Sequence, residues 1–241
     1  MNTNSSTIKI NDISVEVTHK NIKNIHLSVY PPFGHVRVST PLNVSKENLR
    51  VFILSKLNWI KAKRTKLLKQ EREALREFVN RESHYFNGKR YLLEVLEVND
   101  PPQVFLSHNK IILQVRPSSS AIKKLEVMDQ WYRLKLKETL GPIVQKWEKI
   151  INVTVSNIHI RKMKAKWGSC SPKDKAIRIN LELAKKPLEC LEYIALHEML
   201  HLIEPSHNDR FIQLMNKNMP KWRMHRDELN RLPVRHDEWN N

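Results

Sequence analysis

The chain has 241 residues, 40% hydrophobic and 28% charged, enough to bury a substantial core as one large domain or two small ones. No apolar run approaches the ~18 residues of a membrane span, the N-terminus lacks the basic-then-apolar plan of a signal peptide, and two cysteines outside any CxxC pair imply no disulfide framework; a protein of the cytoplasm is expected, without a membrane partner. The 42 Lys and Arg against 25 Asp and Glu leave +17, a field that attracts polyanions.

The first forty residues predict strands. TIKINDISVEVTH alternates around a turn at Asn11-Asp12, and IHLSVYPPFGHVRVSTP reads as a hairpin closed by Pro31 to Gly34, together a small antiparallel sheet. Ser45 can cap a helix with Leu49, Phe52, Ile53, Leu57 and Ile60 on one face, continuing, with a break, through KQEREALREFVNRE. Eight basic residues lie between Lys46 and Lys69 against the single acid Glu47, either a solvated face or a backbone-directed nucleic-acid contact. Strands follow in KRYLLEVLEV, after the turn Asn87-Gly88, and in VFLSHNKIILQVRP.

The loop RPSSSA suggests a boundary near residue 118, giving a strand-rich part with a basic helix over 1–118 and a second part over 119–241. In the second part Leu125, Met128, Trp131, Tyr132, Leu136 and Leu140 fall at helical spacing, and Gly141-Pro142 is expected to interrupt before a further helix with Val144, Trp147 and Ile151. VTVSNIHIRKM and AIRINLELA read as strands, the latter as an exposed edge able to hold an extended substrate or as an ordinary core strand. The fold class expected is α+β.

The segment ALHEMLHLIEPSH places three histidines and two glutamates in thirteen positions of an otherwise apolar helix beginning near Pro187. His197 and His201, four apart, stand one turn apart on one face, and Glu198 is rotated by about 100° so that it can address a water on a shared ion. Burying such groups costs several kcal/mol, on the order of what a metal would compensate. Catalytic zinc takes three protein ligands and keeps one position open. Pro205 should end the helix near Ile203 or Glu204, so that His207 swings back as the third ligand; Glu204, on the helical face of His197, is the rival, with His225, Asp209 and Glu228 as further candidates.

The chain resembles the YgjP-like metallopeptidase family, zincin-type metal-dependent hydrolases. The resemblance rests on KWGSCSPKDKAIRINLELA, with its Trp-Gly-Ser-Cys signature, and on LHEMLHLIEPSHNDRF, with H-E-x-x-H and a third histidine followed by an aromatic; the early paired strands and LNWIKAKRTKLL are also family-like. It implies a zincin-like domain over 119–241, one zinc ion on His197, His201 and His207, Glu198 as general base, and a peptide or protein substrate. Where the family commonly has Asn-His-Ser at the third ligand, this chain has Ser206-His207-Asn208. The signature maps to Trp167, Gly168, Ser169 and Cys170, with Gly168 suited to a tight turn and Cys170 to a buried thiol. His225, Arg223 and Arg226 are candidates for stabilising the oxyanion. The reading is a zinc-dependent peptidase; the alternative is a nucleic-acid-associated protein with a structural metal, or a DNA-associated protease.

Overall fold

The computed structural model describes residues 5–30, 34–69, 76–163 and 166–231. They fall into two compact units divided between residues 73 and 74. The class is α+β. Among the described residues no helix is long and apolar enough to cross a membrane.

In the first unit two hairpins, β1 (Ser5–Ile10) with β2 (Ile13–Lys20) and β3 (His26–Tyr30) with β4 (His35–Pro41), join through their second strands. The order is β1-β2-β4-β3, and β2 runs parallel to β4, Val15 opposite Val36 and Val17 opposite Val38. The sheet is therefore mixed rather than purely antiparallel, because each hairpin presents the strand with the fully buried valines to the other. Gly34, at φ 72°, closes the second hairpin, and a Cβ there would lie 2.6 Å from Cγ of Arg64. Helices α1 (Lys46–Ser55) and α2 (Leu57–Lys69) lay Leu49, Ile53 and Ile60 on Ile10, Ile13, Val15 and Val17. Each fully buried side chain of this size contributes roughly 1.5–3 kcal/mol. Ser45 caps α1 by accepting from the Asn48 N–H at 3.2 Å, and the break falls at Lys56.

The expected continuation of this helix as far as Glu82 does not occur. Residues 70–75 lie outside the described set, and residues 76–82 are not helical. The Glu82 carboxylate instead accepts from the backbone N–H of Glu77, Phe78 and Val79, at 3.1, 2.7 and 3.4 Å, and Phe78 and Arg81 take positive φ. A carboxylate that satisfies three consecutive amides competes directly with helical hydrogen bonding.

The second unit begins with a sheet of the same plan: β5 (Ser83–Phe86), β6 (Lys89–Glu97), β7 (Gln103–Ser107) and β8 (Lys110–Val115), ordered β5-β6-β8-β7 with β6 parallel to β8. Asn87 and Gly88, at φ 49° and 76°, make the two-residue turn that their sequence requires. Leu93, Ile111, Leu113 and Val115 share one core with α3 (Ala121–Ile151), so the loop near 118 lies inside this unit.

The expected interruption at Gly141-Pro142 is absent: α3 runs unbroken for 31 residues with Pro142 inside it. The buried stripe keeps its spacing across the proline, from Leu136 and Leu140 to Val144 and Trp147, and that packing outweighs the lost hydrogen bond and the ring's crowding of the Glu138 carbonyl. Asn152, left-handed at φ 52°, ends the helix.

A third sheet, β9 (Asn157–Arg161), β10 (Gly168–Ser171) and β11 (Ala176–Asn180), has the order β10-β11-β9. AIRINLELA is thus not an exposed edge: β11 is paired antiparallel to β10 and parallel to β9, and Leu181–Lys185 form a buried 3-10 turn. Its residues Ile177, Ile179, Leu181 and Leu183 are at most 2% exposed, which explains the central position. The helices α4 (Leu188–Leu200), α5 (Asp209–Asn218) and α6 (Trp222–Arg231) complete the unit; α4 packs on α3, β10 and β11.

Candidate metal centre

The α4 helix is apolar nearly all round, with Leu191, Ile194, Ala195, Leu196, Met199 and Leu200 buried, as a helix enclosed by α3 and a sheet must be. Its last turn carries His197 and Glu198, and His201 caps it. The helix stops at Leu200, slightly earlier than Pro205 alone suggested, where the chain tightens into i→i−3 bonds, from the Leu202 N–H to the Met199 carbonyl at 3.0 Å and from the Ile203 N–H to the Leu200 carbonyl at 2.9 Å. The chain then turns through Pro205. Asn208 starts α5 by accepting from the Phe211 N–H at 3.0 Å. That capping bond is the use to which Ser206-His207-Asn208 puts its asparagine, and it fixes His207 just ahead of a helix.

The result is a convergence of three imidazoles. His207 Nε2 lies 3.0 Å from His197 Nε2 and 3.1 Å from His201 Nε2, and the three ligand atoms all lie within 4.8 Å of one another. Tetrahedral nitrogens at ~2.05 Å from one zinc ion would stand about 3.3 Å apart.

Protonation makes the cluster demanding without a cation. His201 Nδ1 faces the Glu204 carbonyl at 3.0 Å; a carbonyl only accepts, so Nδ1 carries the proton and a neutral His201 presents a bare Nε2. His207 Nε2 has one in-plane position, which is either a proton or a lone pair. It cannot make a full hydrogen bond to both neighbours, so at least one close pair is left without a proper hydrogen bond. Burial, then the neighbouring His201 and His207, pushes His197 down to about 3, and burial also lowers His201. Nδ1 of His197 is buried and has no hydrogen-bond partner among the described residues. Convergent imidazoles are a donor set that a borderline-soft divalent ion takes.

Glu198 is buried on the neighbouring face of α4, at 6% exposure, and burial raises its carboxyl to about 7 against the lowering influence of Lys166. Across from it runs the backbone of β10. A Cβ on Gly168 would meet Oε1, Cγ and Cδ of Glu198 at 2.6, 2.7 and 2.9 Å. The glycine of the Trp-Gly-Ser-Cys segment therefore makes room for the carboxylate, rather than making a turn. Cys170, two residues further along β10, is partly buried, and burial pushes its thiol up to about 11, which leaves it a poor nucleophile.

The other sequence candidates lie elsewhere. The Glu204 carboxylate accepts from the Ser206 N–H at 3.3 Å, so this residue supports the site through its carbonyl. Asp209 opens α5. Glu228 is beside Cys190, Oε2 to Sγ 3.9 Å. Arg223 donates to Asn216 at 2.8 Å and covers the Trp222 ring; Arg226 donates to Asp227 at 3.0 Å. His225 lines a cavity of about 370 Å³ with Lys146, Trp147, Glu189 and Lys221, and none of the three clustered histidines belongs to its lining.

Two contributors, Tyr193 and Asn180, escaped the sequence reading, and the aromatic that follows the third histidine, Phe211, had been given no role. Phe211 is buried with its ring centroid 4.9, 4.7 and 4.9 Å from those of His197, His201 and His207, stacked on His201. Tyr193, one helical turn before His197, meets its ring edge-on at 5.9 Å. Asn180 ties the approach to β10: its Nδ2 donates to the carbonyls of Met163 and Lys166, both at 2.8 Å, and its Oδ1 accepts from Glu182 N–H at 3.2 Å. The signal for Phe211 was its place four residues beyond His207, on the inner face of a strongly amphipathic helix.

Comparison with known proteins decides the family. The model of the YgjP-like metallopeptidase domain matches residues 23–232. The chain belongs to that family. It is accordingly a metallopeptidase-domain protein of the metal-dependent hydrolase class. Among solved structures it is similar to the metallopeptidase zymogen abylysin of Pyrococcus abyssi, at 20% identity over 37% of this chain and 90% of that one, TM-score 0.35. It is also similar to the metallopeptidase zymogen jannalysin of Methanocaldococcus jannaschii, at 28% identity over 37% of this chain and 91% of that one, TM-score 0.33. No curated protein matches the chain.

Proposed function

We propose that the chain is a zinc-dependent peptidase that hydrolyses amide bonds of a peptide or protein substrate, with His197, His201 and His207 as the metal ligands and Glu198 as the general base. The observation that carries this reading is the convergence of three imidazole Nε2 atoms, 3.0 and 3.1 Å apart in two of the pairs, at the end of a helix that also holds a buried carboxylate. Three imidazoles suit zinc, which when bound supplies a polarised carbonyl and a water acidified to a pKa of ~7.

The chain's own groups supply the rest. Burial that raises the carboxyl to about 7 makes it a stronger base than an ordinary carboxylate, so Glu198 can take a proton from water and return it to the leaving amine. Gly168 keeps side-chain bulk away from that carboxylate. Its strand, β10, pairs on one side with β11 and forms one end of its sheet among the described residues. An extended peptide can add there by backbone hydrogen bonds, which moves the substrate edge from 176–184 to 168–171. Hydrogen bonds from the Asn180 carboxamide hold the chain that leads into this edge.

The test is Glu198→Gln in protein loaded with zinc. Hydrolysis of a fluorogenic peptide should fall by roughly 10²–10⁴-fold, as for loss of a general base, while elemental analysis still finds one zinc per chain. Unchanged hydrolysis in that variant would sink the proposal.

A further inference from the structure

In the second unit several lysines are matched locally: Lys110 with Glu94, Lys123 with Glu126, Lys135 with Glu138, Lys146 with Glu192 and Lys185 with Glu182 lie at 2.6–3.2 Å. Along α1, α2 and the break between them in the first, Lys46, Arg50, Lys56, Lys61 and Lys63 are all exposed, and among the described residues none of them forms an ion pair. The single acid of these helices is Glu47. Five uncompensated cations on two short consecutive helices are a costly arrangement unless a polyanion shares the surface.

An aromatic ring stands among them. Trp59 is 43% exposed, whereas Ile60 beside it is fully buried in the sheet. The Lys63 ammonium, one turn along, lies 6.0 Å from the Trp59 ring centroid. Indole and ammonium on one helical face are the pair that a single-stranded nucleic acid uses, the base stacking on the ring and the phosphate meeting the charge. On α2 a bilayer surface fits less well. The exposed apolar residues of α2, Trp59 and Leu68, are nine positions apart, and at about 100° per residue they point in opposite directions. Interfacial binding needs them on one stripe.

We propose that the outer face of α1 and α2 binds single-stranded nucleic acid, with Trp59 as a stacking platform and Lys46, Arg50, Lys56, Lys61 and Lys63 as phosphate contacts. The surface is distinct from the metal centre and does not rest on the peptidase reading.

Full-length protein should be titrated into fluorescent 20-nucleotide DNA and RNA single strands over a range of salt. With about five phosphates neutralised, log K should fall against log salt with a slope near −3.5, and Lys56→Gln/Lys61→Gln/Lys63→Gln should reduce the slope by about 2. Trp59→Ala should weaken single-strand binding roughly tenfold or more and blank-duplex binding much less. Equal affinity of the parent and the triple variant, or a salt slope near zero, overturns the proposal. So does tight binding to phosphatidylserine vesicles with none to either strand. These exposed substitutions are checked for an unchanged thermal midpoint, and Lys46→Gln/Arg50→Gln on α1 gives an independent second measurement.

Discussion

The two four-stranded sheets share one plan and serve different ends. Each joins two hairpins through a parallel pair of inner strands, β2 with β4 and β6 with β8, and each precedes a helix. In the first unit the core of Ile8, Ile10, Val15, Val38, Ile53 and Ile60 stays with its own sheet and two helices. In the second, the core runs without a break from Leu93 and Ile111 through Trp131 and Leu140 to Leu196 and Met199, the residues flanking His197 and Glu198. Strand order therefore does not make the site. What makes it is a long helix that carries the packing of one sheet to the helix holding the chemistry.

The comparison can be broken at its first half. Ile53→Ala removes a fully buried side chain from α1 and should destabilise the first unit by about 2–5 kcal/mol. Zinc affinity, measured by competition with a chromophoric chelator, should stay unchanged. A weakened zinc affinity would mean that the two cores are not energetically separate.

The second half is sharpened at Gly168. Gly168→Ala introduces a methyl group 2.6–2.9 Å from the Glu198 side chain, closer than packed atoms tolerate, so the carboxylate must shift. On the proposed mechanism, peptide hydrolysis should fall by about a hundredfold, the cost of roughly 1 Å of misplacement, with zinc still bound because no ligand moves. Full activity would show that Glu198 tolerates displacement.

A smaller effect lies in the pH dependence of the metal-free protein. Folding raises the Glu198 carboxyl from its usual range to about 7, so the folded state holds the proton more tightly than the unfolded chain. The group's contribution is most favourable below pH ~4.5 and is lost as pH rises through 7. Glu198→Gln has no such loss. Its thermal midpoint should exceed that of the parent by a few degrees at pH 8, with the gap closing by pH 4.5. His197, whose lowered value acts in the opposite direction, is common to both proteins and cancels in the difference. A gap independent of pH would place the burial penalty elsewhere.

Much of this was legible in the sequence. The strands, the turn at Asn87-Gly88, the Ser45 cap and the histidine spacing follow from local rules, because each depends on residues within a few positions of one another. The failures came where distant contacts decide. Pro142 was expected to break a helix whose stripe of Leu136, Leu140, Val144 and Trp147 finds buried partners on both sides of it. The segment near Glu82 has helical composition, yet its carboxylate captures three amides of its own loop. AIRINLELA was open to either reading until β9 and β10 were seen to flank it. The role of Gly168 was visible only as rarity: the chain has four glycines, and the reason for this one is a carboxylate that lies thirty residues further on.

The bond from His201 to the carbonyl of Glu204 has an evolutionary consequence. A tautomer secured by another side chain would tie two positions of the gene together, and drift at one would damage the other. Here the acceptor is peptide backbone, which every amino acid supplies. Provided that the turn ahead of Pro205 keeps its path, any residue at position 204 would present the same carbonyl, and an inspection of residue identities alone would overlook the group that orients His201.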